Sequence, residues 1–256
     1  MTARAKALAF RVIQLVPFIL FLVLWEAFVR VSEGASFFFG RPSRILFYLT
    51  TGIADGSLLK DFAVTLLETI LGFGLGSVLG AALGLGLWYS RIAFALFRPY
   101  IIALGSAPVF AFAPLIVVWF GTGLVSKVAT AAISTIFVAL LQAYTGASEV
   151  SSDYLLLMRS FQATKGQTFR KVIVPAAAVW VISAFKLNVG FAILGAFLGE
   201  FISSSAGLGH LILVAGGLFD ISRVLTGITL LVIMALGLNG LVSLLEDPLR
   251  RLVARL

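Results

Sequence analysis

Apolar positions along this chain collect into long runs separated by short polar breaks. Runs at about Val12–Val31, Phe62–Tyr89, Pro99–Phe120, Val128–Ala147, Val172–Ile202 and Val224–Leu245 each reach or exceed the roughly 20 residues an α-helix needs to cross a hydrocarbon layer of about 30 Å. The pattern predicts an all-α membrane protein with about six transmembrane helices, residues 1–256 forming a single bundle with little mass outside the bilayer. Between the first two runs, Phe37-Phe38-Phe39 precedes Gly40-Arg41-Pro42-Ser43, where Ser43 suits the N-cap of an amphipathic helix. Pro175 is tolerable in the first turn of the fifth run. A loop at Ser203–Gly207 then leads to a short apolar stretch around Leu211–Phe219.

One segment departs from this pattern. Glu149–Pro175 is charged and amphipathic, and lies between two apolar runs. A helix over Ser152–Ala163 places Tyr154, Leu157, Met158 and Phe161 on one face through i+3 and i+4 spacing. At 1.5 Å per residue it is roughly 18 Å long, too short to span. Its apolar face either docks on a partner or lies flat on lipid headgroups. The second run carries Gly72, Gly76, Gly80 and Gly84. This four-residue stripe lets two helix backbones approach closely in lipid, within one subunit or between two.

Composition agrees with the pattern. Hydrophobic residues make up 61% of the chain and charged residues 12%, against about 25% charged in soluble domains. The net charge of +8 does not point to nucleic acid, because the basic residues sit in short loops and tails without interleaved aromatics. With no cysteine and a single histidine, His210, neither disulfides nor a metal site is expected. Arg4, Lys6 and Arg11 precede the first run, but no small-x-small cleavage site follows, so a retained first helix is expected. With the N-terminus inside, twelve loop and tail Lys or Arg residues fall on the inner side and six on the outer. That bias puts both termini, and the Glu149–Pro175 segment, in the cytoplasm.

Lys186 falls near the middle of the fifth run, about 14 residues from Val172. A charge there costs about 2.5–3.5 kcal/mol on insertion scales. It is expected to face the bundle interior, with Asn188 as a polar neighbour and Glu68 or Glu200 as its neutralising carboxylate. These four residues are the candidates for a translocation path, or else for a buried ion pair that holds helices in register. Ser204 or Ser205 with His210 is a weak hydrolase signal, because no G-x-S-x-G elbow is present. Gly121-Thr122-Gly123 through Lys127 lacks the Gly before Lys that a phosphate loop requires. If ATP drives this protein, another chain binds it.

Arg159, Ala163, Gln167, Phe169, Arg170, Val172 and Pro175 fall in register with a loop of the form E-A-A-R-x-x-G-A followed by Q-x-F-R-x-V-x-x-P. Further matches are Pro108, Ala111 and Pro114 leading to Trp119-Phe120-Gly121, and Gly199-Glu200-Phe201 leading to Gly207-Leu208-Gly209. Over nearly its whole length the chain resembles the membrane subunits of bacterial ABC importers, in particular the nitrate, sulfonate and taurine permease family. The resemblance implies a type I importer permease fold, with residues of about 149–171 as an ATPase-coupling segment. Its contact residues would be Tyr154, Leu156, Leu157, Met158, Arg159, Phe161, Gln162 and Ala163. It also implies a multi-pass protein of the bacterial inner membrane that pairs with a second permease copy, two cytoplasmic ATPase subunits and a periplasmic substrate-binding protein. ATP and Mg would be bound by the ATPase and no cofactor by this chain, whose own direct surroundings are lipid. The expected cargo is a small, anionic solute such as a sulfonate, nitrate or taurine. Two positions depart from the family. Leu156-Leu157-Met158 replaces Glu-Ala-Ala, and Gln162 replaces a loop Gly whose positive φ Gln adopts less easily. The rival readings are a self-sufficient secondary transporter relaying ions through Lys186, Glu68 and Glu200, and the Ser/His hydrolase.

Overall fold

The computed structural model describes the backbone of residues 3–32 and 34–253, and the side chains of 16–32, 34–246 and 248. Helices account for every regular element among them: α1 (Ala3–Val31), α2 (Ala35–Phe39), α3 (Pro42–Ala54), α4 (Ser57–Trp88), α5 (Arg91–Ser106), α6 (Val109–Phe120), α7 (Leu124–Ser148), α8 (Ser152–Ser160), α9 (Lys165–Thr168), α10 (Val174–Ile202), α11 (Leu208–Gly217) and α12 (Ile221–Val253). Among the described residues four helical stretches are long and apolar enough to cross a membrane: α4, α7, Lys165–Ile202 and Ile221–Glu246. A fifth span results if α5 and α6 are counted together. The first expected span lies within α1, although the side chains of its residues 12–15 fall outside the described set.

The third expected span, Pro99–Phe120, is not one straight helix. α5 and α6 meet at 93°. Ala107 is extended (φ −69°, ψ 137°) before Pro108, the N-cap of α6. Proline clashes with an α-conformed predecessor, so this Ala-Pro step breaks the run. Ser43 is likewise not the N-cap of α3. Pro42 takes the first helical position after Arg41, and the Glu26 carboxylate of α1 accepts from both Ser43 N (3.0 Å) and Ser43 Oγ (2.9 Å). A neighbouring helix thus supplies the anion that an N-terminus favours.

The core is a three-helix seam with α7 packed between α4 and α10. Small residues line it. Gly72, Gly76, Gly80 and Gly84 are buried on α4, and a Cβ at any of them would collide with α7: with Ala131 at Gly72, Ala132 and Thr135 at Gly76, Ile136 and Ala139 at Gly80, and Leu140 and Ala143 at Gly84. Gly195 of α10 meets an adjoining face of α7, where an added Cβ would lie 2.6 Å from Ala131 Cα. The stripe therefore serves contacts inside one subunit. At one end of the bundle, Leu58, Leu208, Leu211, Leu230 and Met234 tie α4, α11 and α12 together. There Tyr48 of α3 donates to Asp220 at the α11–α12 turn (2.6 Å).

Gly80→Ile should lower the melting temperature and the monodisperse yield of the purified chain, since overpacking costs about 1–3 kcal/mol. Gly86→Ile, on the same helix with nothing within 4 Å of its added Cβ, should lower neither by a comparable amount. Equal losses at the two positions would show that helix propensity, not the α4–α7 approach, sets the effect.

Candidate functional site

At one end of the seam the chain leaves α7, forms α8 and α9, and returns into α10. Ser151 Oγ caps α8 by accepting from Asp153 N, and Asp153 puts negative charge in its first turn. The helix ends at Ser160, three residues short of the expected Ala163. Ala163 N donates to Met158 O (2.9 Å) and Gln162 N to Arg159 O (2.8 Å). This pair of bonds is a Schellman closure, which needs a left-handed residue at its centre. Gln162 supplies it with φ 53°, so the left-handed turn that a glycine favours forms here without one.

α8 rests on the bundle through a single row of contacts. Leu155, with Val150 and Phe169, packs on Ala147, Ile173 and Ala177. The remaining apolar side chains point away: Tyr154 is 59% exposed, Leu156 58%, Leu157 51% and Phe161 72%. Met158 and Ala163 are half-buried, whereas Arg159 and Gln162 are exposed. The expected apolar face is therefore outward at Tyr154, Leu157 and Phe161. The anchoring Leu155 went unassigned in the sequence, though it stands three residues before Met158 on the same side. Behind it, Phe169 lies 4.7 Å from the Tyr89 ring and 5.6 Å from that of Trp88. Thr164 and Gln167 form a reciprocal capping box on α9. Phe169–Ile173 then continues as a π-helical turn directly into α10, a local widening frequent at functional sites.

The expected ionisable cluster divides in two. Lys186 does not meet Glu68 or Glu200. Its side chain is half-exposed, and Nζ lies 2.9 Å from Glu246 Oε2 on α12. Lys186 and Glu200 stand 14 residues apart on α10, about 21 Å along the axis at 1.5 Å per residue, so Lys186 meets α12 near mid-helix while Glu200 meets α4 and α11 at the far end. Asn188 is fully buried between α10 and α4, donating to Ser77 Oγ at 3.2 Å.

Glu68 and Glu200 do come together. Both are buried, as is Lys127 of α7, and the three charged groups lie close enough to interact electrostatically, although Glu68 Oε2 has no hydrogen-bond partner among the described residues. Lys127 also donates to Thr122 O. The cluster holds the start of α11 through the N–H groups of its N-cap residue and its first two residues. Gly207 N donates to Asp61 Oδ1 (2.9 Å), Leu208 N to Thr65 Oγ1 (2.8 Å) and Gly209 N to Glu200 Oε2 (2.6 Å). Thr65 Oγ1 in turn donates to Glu200 Oε1 (2.6 Å). A Cβ on Gly209 would sit 2.8 Å from Glu200 Cβ, and Gly207 is held at φ 107°. The Glu200 and Gly207-Leu208-Gly209 motifs are thus two halves of one helix cap. Asp61, Thr65 and Lys127 were missed in the sequence. The signal for the first two was their spacing with Glu68, at i, i+4 and i+7 on one face of α4.

The Ser/His reading finds no geometry. Ser204 closes a turn with Ala206, and His210 Nδ1 has no hydrogen-bond partner among the described residues.

Comparison with known proteins agrees with the bundle and its loops. Residues 72–254 match the family described as the binding-protein-dependent transport system inner membrane component. The riboflavin transport system permease protein of Chloroflexus aurantiacus is 31% identical over 92% of this chain and 88% of its own length. The taurine transport system permease protein of Escherichia coli is 25% identical, over 92% and 85% respectively. Among solved structures, the MetNI methionine ABC transporter in an inward-facing form shares the fold with a TM-score of 0.65, at 22% identity over 78% of this chain and 97% of that one. The chain belongs to the binding-protein-dependent transport system inner membrane component family and is an ABC importer permease.

Proposed function

We propose that this chain forms the transmembrane pathway of an ATP-driven importer whose ATP hydrolysis takes place on separate cytoplasmic subunits, docked at α8. The observation that carries this reading is α8 itself. Tyr154, Leu157 and Phe161 are exposed on a helix too short to cross a bilayer, fastened to three spans through Leu155 and Phe169. An exposed apolar helix face is recognised by a groove, and a rigid base lets a displacement of that groove reach the spans. Both termini and α8 then lie on the cytoplasmic side, as the bias in basic residues supports. A second permease copy completes the pathway, lipid surrounds the pair, and an extracytoplasmic binding protein delivers the solute to the α11 end. ATP and Mg belong to the ATPase subunits.

The cargo we propose is a small organic or inorganic solute of the sulfonate or taurine kind. Its support is the similarity to a taurine permease. Lys186 supports it less than expected, because Glu246 already neutralises that charge. The same pairing argues against a self-sufficient relay through Lys186, Glu68 and Glu200, since a relay needs its groups within reach of one another. Glu68, Asn188 and Glu200 are proposed as structural members of the seam and the α11 cap, and Lys186 as the one path candidate on an accessible face.

Phe161→Ala should weaken association of the ATPase by about thirtyfold, from a loss of about 2 kcal/mol at a central aromatic anchor, and uncouple hydrolysis from uptake with the bundle intact. Pull-down from cells that co-express the neighbouring ATPase, with uptake measured in parallel, checks this. Unchanged stoichiometry and coupling would instead mean that α8 is a headgroup-bound connector.

Lys186→Met should lower stability by stranding Glu246, while the double variant with Glu246→Gln should regain most of the melting temperature. If Lys186 faces the solute, the stable double variant transports poorly. Full uptake by it would remove Lys186 from the pathway.

A further inference from the structure

A cavity of about 940 Å³ lies beneath α8, between the coupling segment and the ends of α4, α5 and α7. Three cations, Arg91, Arg159 and Lys165, line it with the aromatic rings of Trp88, Tyr89 and Tyr144. No Asp or Glu lines it among the described residues, and none of the three cations forms an ion pair there. Lys165 is held in place by Tyr89 O (2.5 Å) and by the Trp88 and Tyr89 rings, 5.6 and 5.2 Å away. Two guanidinium groups and an oriented ammonium thus face one volume with no counter-charge among the described residues.

We propose that this cavity is a binding site for a phosphoryl oxyanion, carried either by an anionic phospholipid headgroup or by a soluble phosphate compound. Arginine forks match phosphate oxygens in bidentate geometry, and such charge-assisted bonds are stronger than neutral ones. The volume falls within the ordinary range for small-molecule sites, so the ligand has room for more than the phosphate, and the aromatic walls suit an apolar or ring-bearing remainder. Membrane topology accounts for basic residues in this loop, but it does not require that residues from α5, α8 and α9 converge on one cavity. An occupant would touch α8 and the α4 terminus at once, and so would fix the position of the coupling helix on its base.

The test uses the full chain purified in neutral detergent and, separately, in nanodiscs of phosphatidylcholine with or without phosphatidylglycerol. Equilibrium dialysis with radiolabelled inorganic phosphate measures the soluble source, and native mass spectrometry of lipid retained per chain measures the headgroup source. The wild-type chain should bind one of the two saturably. The Arg91→Gln/Arg159→Gln variant should bind it at least tenfold more weakly, while Lys171→Gln, an exposed basic residue outside the cavity, should bind it as the wild type does. Phosphate bound in detergent identifies a soluble ligand. Phosphatidylglycerol retained one per chain, with no phosphate bound, identifies the lipid. Both results must fail in the double variant at an unchanged melting temperature. Absence of both kinds of binding in the wild type, or equal loss in Lys171→Gln, overturns the proposal. These readouts require no ATPase, so their failure is independent of the importer reading.

Discussion

The close mutual approach of α4, α7 and α10, the first and last on adjoining faces of α7, is the constraint on which the rest of this structure depends. In lipid there is no hydrophobic force to press helices together, and association rests on packing and on hydrogen bonds between helices. The glycine stripe of α4 and Gly195 of α10 let backbones meet where any side chain would hold them apart. Hydroxyl groups of Thr130, Ser134 and Thr135 on α7 are buried in the same seam, and each bonds a carbonyl one turn earlier on its own helix. Their polarity is satisfied locally, so they behave as small residues and leave the inter-helix surfaces free to fit. Only with this seam in place do Leu155 and Phe169 find a common base, and only then do Glu68, Lys127 and Glu200, from three different helices, come within reach of one another.

That second convergence explains how charges are accommodated at membrane depth. A buried carboxylate without partners is very costly. Glu200 accepts from Thr65 and from Gly209 N, and its neighbour Glu68 lies within electrostatic reach of it and of Lys127. The arrangement also addresses a difficulty at α11. That helix begins at a glycine with no side-chain cap of its own, and its first N–H groups would otherwise go unpaired away from water. Asp61, Thr65 and Glu200 satisfy them from outside. One set of groups therefore removes two penalties, which is why the acidic residue and the glycine loop occur together in the chain.

The sequence was legible where a single helix carries its own signal. Run length identified α4, α7, α10 and α12, the glycine spacing identified the seam, and a charged insert too short to span identified α8. It was less legible where the decisive group comes from another element. Ser43 has the composition of an N-cap, but Pro42 and the distant Glu26 decide that helix start. Lys186 and Glu200 share a helix, so mid-span position suggested a common partner. Their 14-residue separation is about 21 Å of helix, so each needs its own partner, and the spacing within α10 does not report that α12 supplies one for Lys186. Lys127 follows a Gly-rich break between two apolar runs, where a solvated basic residue is the ordinary expectation, whereas it is 3% exposed inside the cluster. The α5–α6 break was within reach of the sequence, since Ala107-Pro108 carries a local steric signal.

The coupling segment shows how a local rule can be broken without loss of the shape it protects. A left-handed turn after a helix favours glycine, and Gln162 carries a small conformational penalty there. The two Schellman bonds to Met158 O and Arg159 O, the Ser151 cap at the other end of α8 and the capping box that starts α9 all require the same path of chain. Together they hold Gln162 in place. The segment then enters α10 through a π-helical turn with no break, so that Lys165–Ile202 is one helical stretch of 38 residues. Glu200, which caps α11, stands two residues from its far end. Leu155 and Phe169 thus pack at one terminus of the same helix whose other terminus positions α11. Under the proposed function, such a stiff element would link a partner docked at α8 to the α11 end of the bundle.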